Sequence, residues 1–231
     1  MRNNYVLLAI SSLVLVVLLT CCLQMQTSQD FTVVDANGTT SINVSILRSA
    51  LPQMPMGNLS DAEKDGILYM REEEKLAHDA YLTLYEKWNL RIFNNIARSE
   101  QTHMDAVKTL IDTYGLEDPA LNETGVFTNS ELQGLYYTLV DRGNNSLQYA
   151  LEVGAAIEEL DILDLKGYIA ETDKADLTVV YENLMKGSRN HLRAFVSTLE
   201  RRGFEYTPQY LNQTEYDAII SSPIEQGRES M

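Results

Sequence analysis

The sequence predicts an all-α fold: a four-helix bundle with a long crossover between the second and third helices. Three observations carry this. Inward-facing residues recur at intervals of three and four over four long stretches. Helix start and stop signals bracket each stretch. The connections run short, long, short, which makes the first and second helices antiparallel neighbours and lets the middle link travel along the bundle. No alternating pattern competes within residues 59–203.

Composition narrows the chemistry. Of 231 residues, 45% are apolar and 22% charged, ordinary for one globular domain, but the formal charge is -15. An acidic surface of that size argues against nucleic acid and anionic membranes as partners, and it suits a solvated surface or cation attraction. The two cysteines, Cys21 and Cys22, both lie at the end of the leading apolar run. The folded part therefore has neither a disulfide nor a thiolate ligand, and a metal would need oxygen and nitrogen donors.

Residues 1–23 carry one arginine and then an almost unbroken apolar run from Tyr5 to Leu19, the pattern of a signal peptide or membrane anchor. Leu19-Thr20-Cys21-Cys22 loosely matches a lipoprotein processing box, with bulkier residues before the cysteine than that pattern prefers. Residues 24–58 have no sustained period and contain Pro52 and Pro55, so they read as a polar linker. Asn37, Asn43, Asn58, Asn122, Asn144 and Asn212 each open a glycosylation sequon. Export to the cell surface or beyond is the expectation from both features.

The domain spans residues 59–203. Ser60 followed three residues later by Glu63 is a capping box, and Ile67, Met70 or Arg71, Glu74, His78, Tyr81, Tyr85 and Trp88 then form one stripe, so a first helix runs from Ser60 or Asp61 to about Trp88. A second is expected from about Ile92 to Tyr114, stopped by Gly115 and Asp118-Pro119. The link of residues 115–145 contains a short helical piece near Ser130–Val140 and a break at Arg142 to Asn145. The third helix covers about Ser146–Ala170, with Leu147, Leu151, Gly154, Glu158, Asp161 and Leu165 on one stripe. The fourth runs from Lys174 or Asp176 to Arg201, with Arg202-Gly203 ending it. Residues 204–231 are a C-terminal extension, which packs through Tyr206, Tyr210 and Leu211 before becoming disordered.

Two of these core stripes carry carboxylates, which is the pointer to function. Glu74 lies on the first helix, Glu100 and His103 sit one turn apart on the second, Glu158 and Asp161 share a stripe on the third, and His191 is on the fourth. Glu-x-x-His spacing lets two helical side chains converge on one ion, and burying so many polar groups without a partner would be costly. The set suits one or two iron or manganese ions. Glu159 is the substitute for Glu158 if the phase shifts by one, and His78 reads as structural or supporting. Tyr136, Tyr137, Tyr168, Tyr181 and Phe195 read as core aromatics, and Arg193, Arg201 and Arg202 as surface or helix-end charges.

The pattern matches a ferritin-like bundle, whose metal site takes a Glu from each of two helices and Glu-x-x-His from each of two others. Tyr81 resembles the tyrosine that many such proteins place beside their iron pair, in a catalytic role. The departure is in the fourth helix, where Ser188 stands three residues before His191. The site as read is short of one carboxylate; Asp161 or His78 compensates, or there is a single metal, or none.

The blocks REEEKLAHDAYLTLY, NIARSEQTHMDAV, AIEELDILDL and GSRNHLRAF, in this order from about Leu59 to Leu211, resemble the signature of an exported archaeal and bacterial family, domain of unknown function 2202. The resemblance implies a ferritin-like four-helix fold and a metal site, without a reaction. Ferritins and rubrerythrins are more distant, and their oxidase or peroxidase activity is analogy. Expected partners are metal ions, the membrane through the N-terminal segment only, and a second copy of the chain as a homodimer. The alternatives are a metal-free interaction or envelope module with a satisfied hydrogen-bond network, and metal capture without turnover.

Overall fold

The computed structural model describes residues 29–35 and 39–227. The leader at 1–23 and the sequon asparagine Asn37 lie outside the described residues.

The protein is predominantly α-helical. Its long helices are α2 (Asp61–Trp88), α3 (Arg91–Tyr114), α5 (Leu147–Glu171) and α6 (Ala175–Glu200), preceded by a short α1 (Val44–Ala50) and joined by α4 (Ser130–Asn145) in the crossover. A two-stranded ribbon, β1 (Thr32–Val34) and β2 (Thr40–Ile42), and a C-terminal helix, α7 (Gln213–Ser221), complete the described chain. Helix boundaries follow local chemistry. Ser60 and Glu63 form a reciprocal capping box on α2, while Asn89 and Gly115 adopt left-handed conformations (φ 48° and 65°) at the ends of α2 and α3. Each long helix packs on two others: α2 on α3 and α5, and α6 on α5 and α3.

The apolar core falls into two parts. One is built around Tyr81, Leu84, Phe93, Leu151 and Phe195; the other around Ile67, Met70, Leu110, Leu177 and Leu184. Along α2, α3 and α6 the sequence passes from one cluster to the other through a polar stretch: Glu74, then Glu100 and His103, then Ser188 and His191, all buried. On α5 the polar interval is Glu158 to Asp161. Four helices thus place their polar interval at one level, between two hydrophobic layers.

The buried charges flanking Glu74 on α2 hold the crossover. Arg71 grips Asp118 through Nε and Nη2 at 3.0 and 3.1 Å, and donates from Nη1 to the Met104 carbonyl. Glu72 accepts the backbone N–H groups of Thr128 and Asn129 at 2.6 and 2.9 Å. Lys75 pairs with Asp79, which also accepts the Gly125 N–H at 2.9 Å. Each of these four charges is matched, as burial requires, whereas Glu73, beside Glu74, keeps Oε2 without a partner, and burial and Asp161 push its carboxyl well up.

Several expectations change. Residues 24–58 are no bare linker over their described part. The ribbon seats on α3 and α6 through hydrogen bonds from Ile42 N to Thr102 Oγ1 (2.8 Å) and Phe31 N to Asn183 Oδ1 (2.7 Å), and it buries Phe31 and Ile42. Helix α4 continues through the expected break to Asn145 and is followed by Ser146, the N-cap of α5. The C-terminal extension carries α7, whose N-cap is Asn212. Tyr137 is 61% exposed and belongs to no core cluster. Arg193 is no surface charge: it donates to the Ile219 carbonyl, Ser222 and Glu225 and so holds the segment after α7. Among the described residues no helix is long and apolar enough to cross a membrane.

Candidate metal centre

Glu74, Glu100, His103, Glu158 and His191 converge from all four long helices. They are between 0 and 2% exposed. Two triads, Glu74–Glu100–His103 and Glu100–Glu158–His191, each bring their potential ligand atoms within 4.8 Å of one another. Glu100 belongs to both. Its Oε2 lies 2.7 Å from His103 Nδ1 and its Oε1 lies 2.8 Å from His191 Nδ1. Glu74 Oε2 is 3.3 Å from His103 Nδ1 on one side, and Glu158 Oε2 is 3.6 Å from His191 Nδ1 on the other. The two imidazoles stack, with centroids 5.5 Å apart and planes at 21°.

Close as these atoms are, they do not satisfy one another. His103 Nδ1, His191 Nδ1, Glu74 Oε1 and Glu100 Oε1 are buried without a partner in hydrogen-bonding geometry. Such groups are rare in native proteins and mark a missing ion, water or strain. Donors that approach without pointing at each other can share a third body between them. A hard or borderline divalent cation with mixed carboxylate and imidazole ligands fits this donor set, so the buried Glu and His groups could hold a metal.

The electrostatics are those of closely packed buried acids and imidazoles. Burial is the largest influence on every group. It raises Glu74 to about 7, with Glu100 adding and His103 opposing. Glu158 is raised by burial and by Glu100, with His191 and Tyr81 opposing. Glu100 goes the other way: burial is outweighed by the two histidines, and its carboxyl sits well below the usual range. Burial disfavours charge on His103 and His191, but Glu100 reverses this with Glu74 and Glu158, pushing His103 well up and His191 to about 9.

The remaining expected residues fall around this centre. Tyr81 donates to Glu158 Oε1 at 2.6 Å and lies 3.2 Å from the Gly154 carbonyl, so it touches a ligand-type carboxylate. Asp161 is adjacent but in neither triad; Ser188 Oγ donates to its Oδ2 and to the Leu184 carbonyl, while Oδ1 has no partner. The serine that replaces the expected glutamate is therefore what holds this neighbouring aspartate. His78 is partly exposed and binds its neighbour Asp79 at 2.8 Å, away from the centre. Glu159 is buried but accepts from Tyr206 and from the N–H groups of Gln209, Tyr210 and Leu211.

Sequence reasoning missed Thr40. Its carbonyl lies 3.1 Å from His103 Nε2, and its N–H points at His191 Nε2 at 3.3 Å. Gly187 makes room for this: a Cβ there would lie 2.5 Å from His103 Cε1. Thr40 offers backbone groups only, and no motif signals a backbone contact.

Fold and site together define a mostly helical protein with a buried carboxylate–histidine centre. Sequence comparison gives the family. The profile described as "Uncharacterized protein domain (DUF2202)" matches residues 63–223, and this chain belongs to that family. It is similar to the "Uncharacterized protein MJ0754" of Methanocaldococcus jannaschii, with 57% identity over 180 residues, 78% of this chain and 96% of that one. The crystal structure titled "hypothetical protein MJ0754 from Methanococcus jannaschii DSM 2661" superposes with a TM-score of 0.73, covering 74% of this chain and 99% of that one.

Proposed function

We propose that this chain is an exported, ferritin-like four-helix protein whose Glu74, Glu100, His103, Glu158 and His191 hold one or two iron or manganese ions for redox chemistry with oxygen or a peroxide. The observation that carries the reading is the set of unpartnered Nδ1 and carboxylate atoms at one level of the core. A metal-free interaction module would need those atoms satisfied by a network, and no protein group among the described residues supplies one in hydrogen-bonding geometry. The apolar run at Tyr5–Leu19 and the sequons support export.

In this reading the two oxygens of Glu100 serve both triads, while Glu74 and Glu158 each close one side. The hydroxyl of Tyr81 holds Glu158 in place, and Asp161, kept by Ser188, stands next to the triads with its carboxyl pushed well up by burial, Glu74 and Glu158. Bound iron or manganese would supply the electrons for reduction of the oxidant. The two apolar layers keep bulk water from the centre and strengthen its electrostatics.

Protein expressed in iron-supplemented medium should carry roughly one to two equivalents of metal by elemental analysis, and the loaded protein should consume peroxide or oxygen. The double variant Glu100→Ala, His103→Ala should fold and lose the metal. Unchanged metal content in that variant would sink the proposal.

A further inference from the structure

The β1–β2 ribbon lies N-terminal to the matched span of residues 63–223, yet one of its residues addresses both histidines. We propose that Thr40 is a positioning residue that makes the two triads unequal. A divalent ion fills Glu74–Glu100–His103 first, and Glu100–Glu158–His191 second, only as the ribbon's contact with His191 gives way. The inference rests on the metal reading above.

Donor and acceptor roles decide the tautomer of each ring. A backbone carbonyl can only accept and a backbone N–H can only donate. The Thr40 carbonyl, 3.1 Å from His103 Nε2, therefore requires a proton on that nitrogen. With Nε2 protonated, Nδ1 is the atom left to bind an ion, and it faces Glu100 and Glu74 at 2.7 and 3.3 Å. This is the usual way a protein orients a ligating imidazole, by a carbonyl on its far nitrogen. Thr40 N–H does the reverse to the other ring: His191 Nε2 must accept, so the ring proton lies on Nδ1, on the side of Glu100 and Glu158. For His191 to offer Nδ1 to an ion, its proton must move to Nε2, where it would oppose the Thr40 N–H. One residue, through the peptide groups on its two sides, thus prepares one histidine and blocks the other.

The ribbon is held firmly enough to impose this. Asn190 Nδ2 donates to Thr40 Oγ1 at 2.7 Å, Ser99 Oγ donates to the Thr40 carbonyl, and Ile42 N donates to Thr102 Oγ1 at 2.8 Å. Thr40 itself is fully buried.

The test uses the full chain and cobalt(II), with two readouts. In metal-free protein, at a pH high enough that both rings have given up their second proton, 15N NMR should show the Nε2–H form for His103 and the Nδ1–H form for His191. The same tautomer in both rings overturns the proposal. Cobalt titration by visible absorption should show two steps separated by roughly tenfold or more, about the effect of one buried hydrogen bond made or opposed. His191→Ala should lose only the weaker step and His103→Ala the tighter one. Thr40→Pro, which removes the N–H and keeps the carbonyl, should narrow the gap about fivefold, whereas Thr40→Ala, which keeps both backbone groups, should leave it within about twofold. Cobalt binding in two equal steps, or loss of the tighter step in His191→Ala, defeats the unequal halves while leaving the metal reading intact. No cobalt binding at all defeats both. Should Thr40→Pro fail to fold, the wild-type tautomers and the histidine variants still decide.

Discussion

Glu100 is legible as a ligand candidate only in company: a lone Glu-x-x-His is a common helical spacing, and it is the inward positions of Glu74, Glu158 and His191 on the other helices that point to a metal. That Glu100 is shared by two histidines is not legible, since His191 approaches from a helix 91 positions away in sequence. Two residue-scale outcomes follow from contacts that no spacing reveals. Gly187→Ala places a Cβ 2.5 Å from His103 Cε1 and 2.7 Å from Nε2, so the ring must move; metal per chain should fall by about half or more while circular dichroism stays native, with a local overpacking cost of ~1–3 kcal/mol in denaturant titration. Tyr81→Phe deletes the donor to Glu158. It should cost ~1–2 kcal/mol of metal-free stability, and metal binding should survive, because the tyrosine touches a ligand rather than acting as one.

At the scale of elements, α2 and α3 could be read almost to the residue, since capping box, stripe and left-handed stop are all local signals. The ribbon and α7 could not. Each is short, and each is stabilised by groups far away in sequence: Asn183 and Thr102 for the ribbon, Glu159 and Arg193 for the C-terminal segment. Glu159→Ala should therefore act at a distance. It strips acceptors from Tyr206 and three backbone N–H groups, at a cost of about 3 kcal/mol. Amide exchange in Gln213–Ser221 should speed up while α2 and α3 keep their protection; uniform loss of protection would show that the tail is no separate unit.

For the whole molecule, burying acids and histidines at one level makes stability pH-dependent in a defined direction. Glu74 is held at about 7 in the folded protein against an ordinary 4.5, and His191 at about 9 against 6.5. Between each pair of values the folded state binds a proton that the unfolded chain has released, so stability falls as pH rises from about 5 to 9. Protonation of His191 at Nε2 is opposed by Thr40 N–H, so Glu74 and His103 carry most of this effect. Asp118 and Asp79, lowered against burial by Arg71 and by His78 and Lys75, work in the opposite window, and their contribution is lost as pH drops below about 4. Calorimetry of metal-free protein should thus find the highest Tm in mildly acidic solution. Manganese, which displaces the same protons, should raise Tm most at alkaline pH; a metal-free Tm that climbs toward pH 9 would contradict the buried-acid account. By itself the sequence determined the helices, their order, and the carboxylate and histidine types facing inward, because periodicity and capping are properties of neighbouring residues. Only the tertiary structure decided which carboxylate is shared, that Ser188 holds Asp161, and that the N–H and carbonyl of one residue outside the helices face the two imidazoles, because those depend on atoms that meet only after the helices pack.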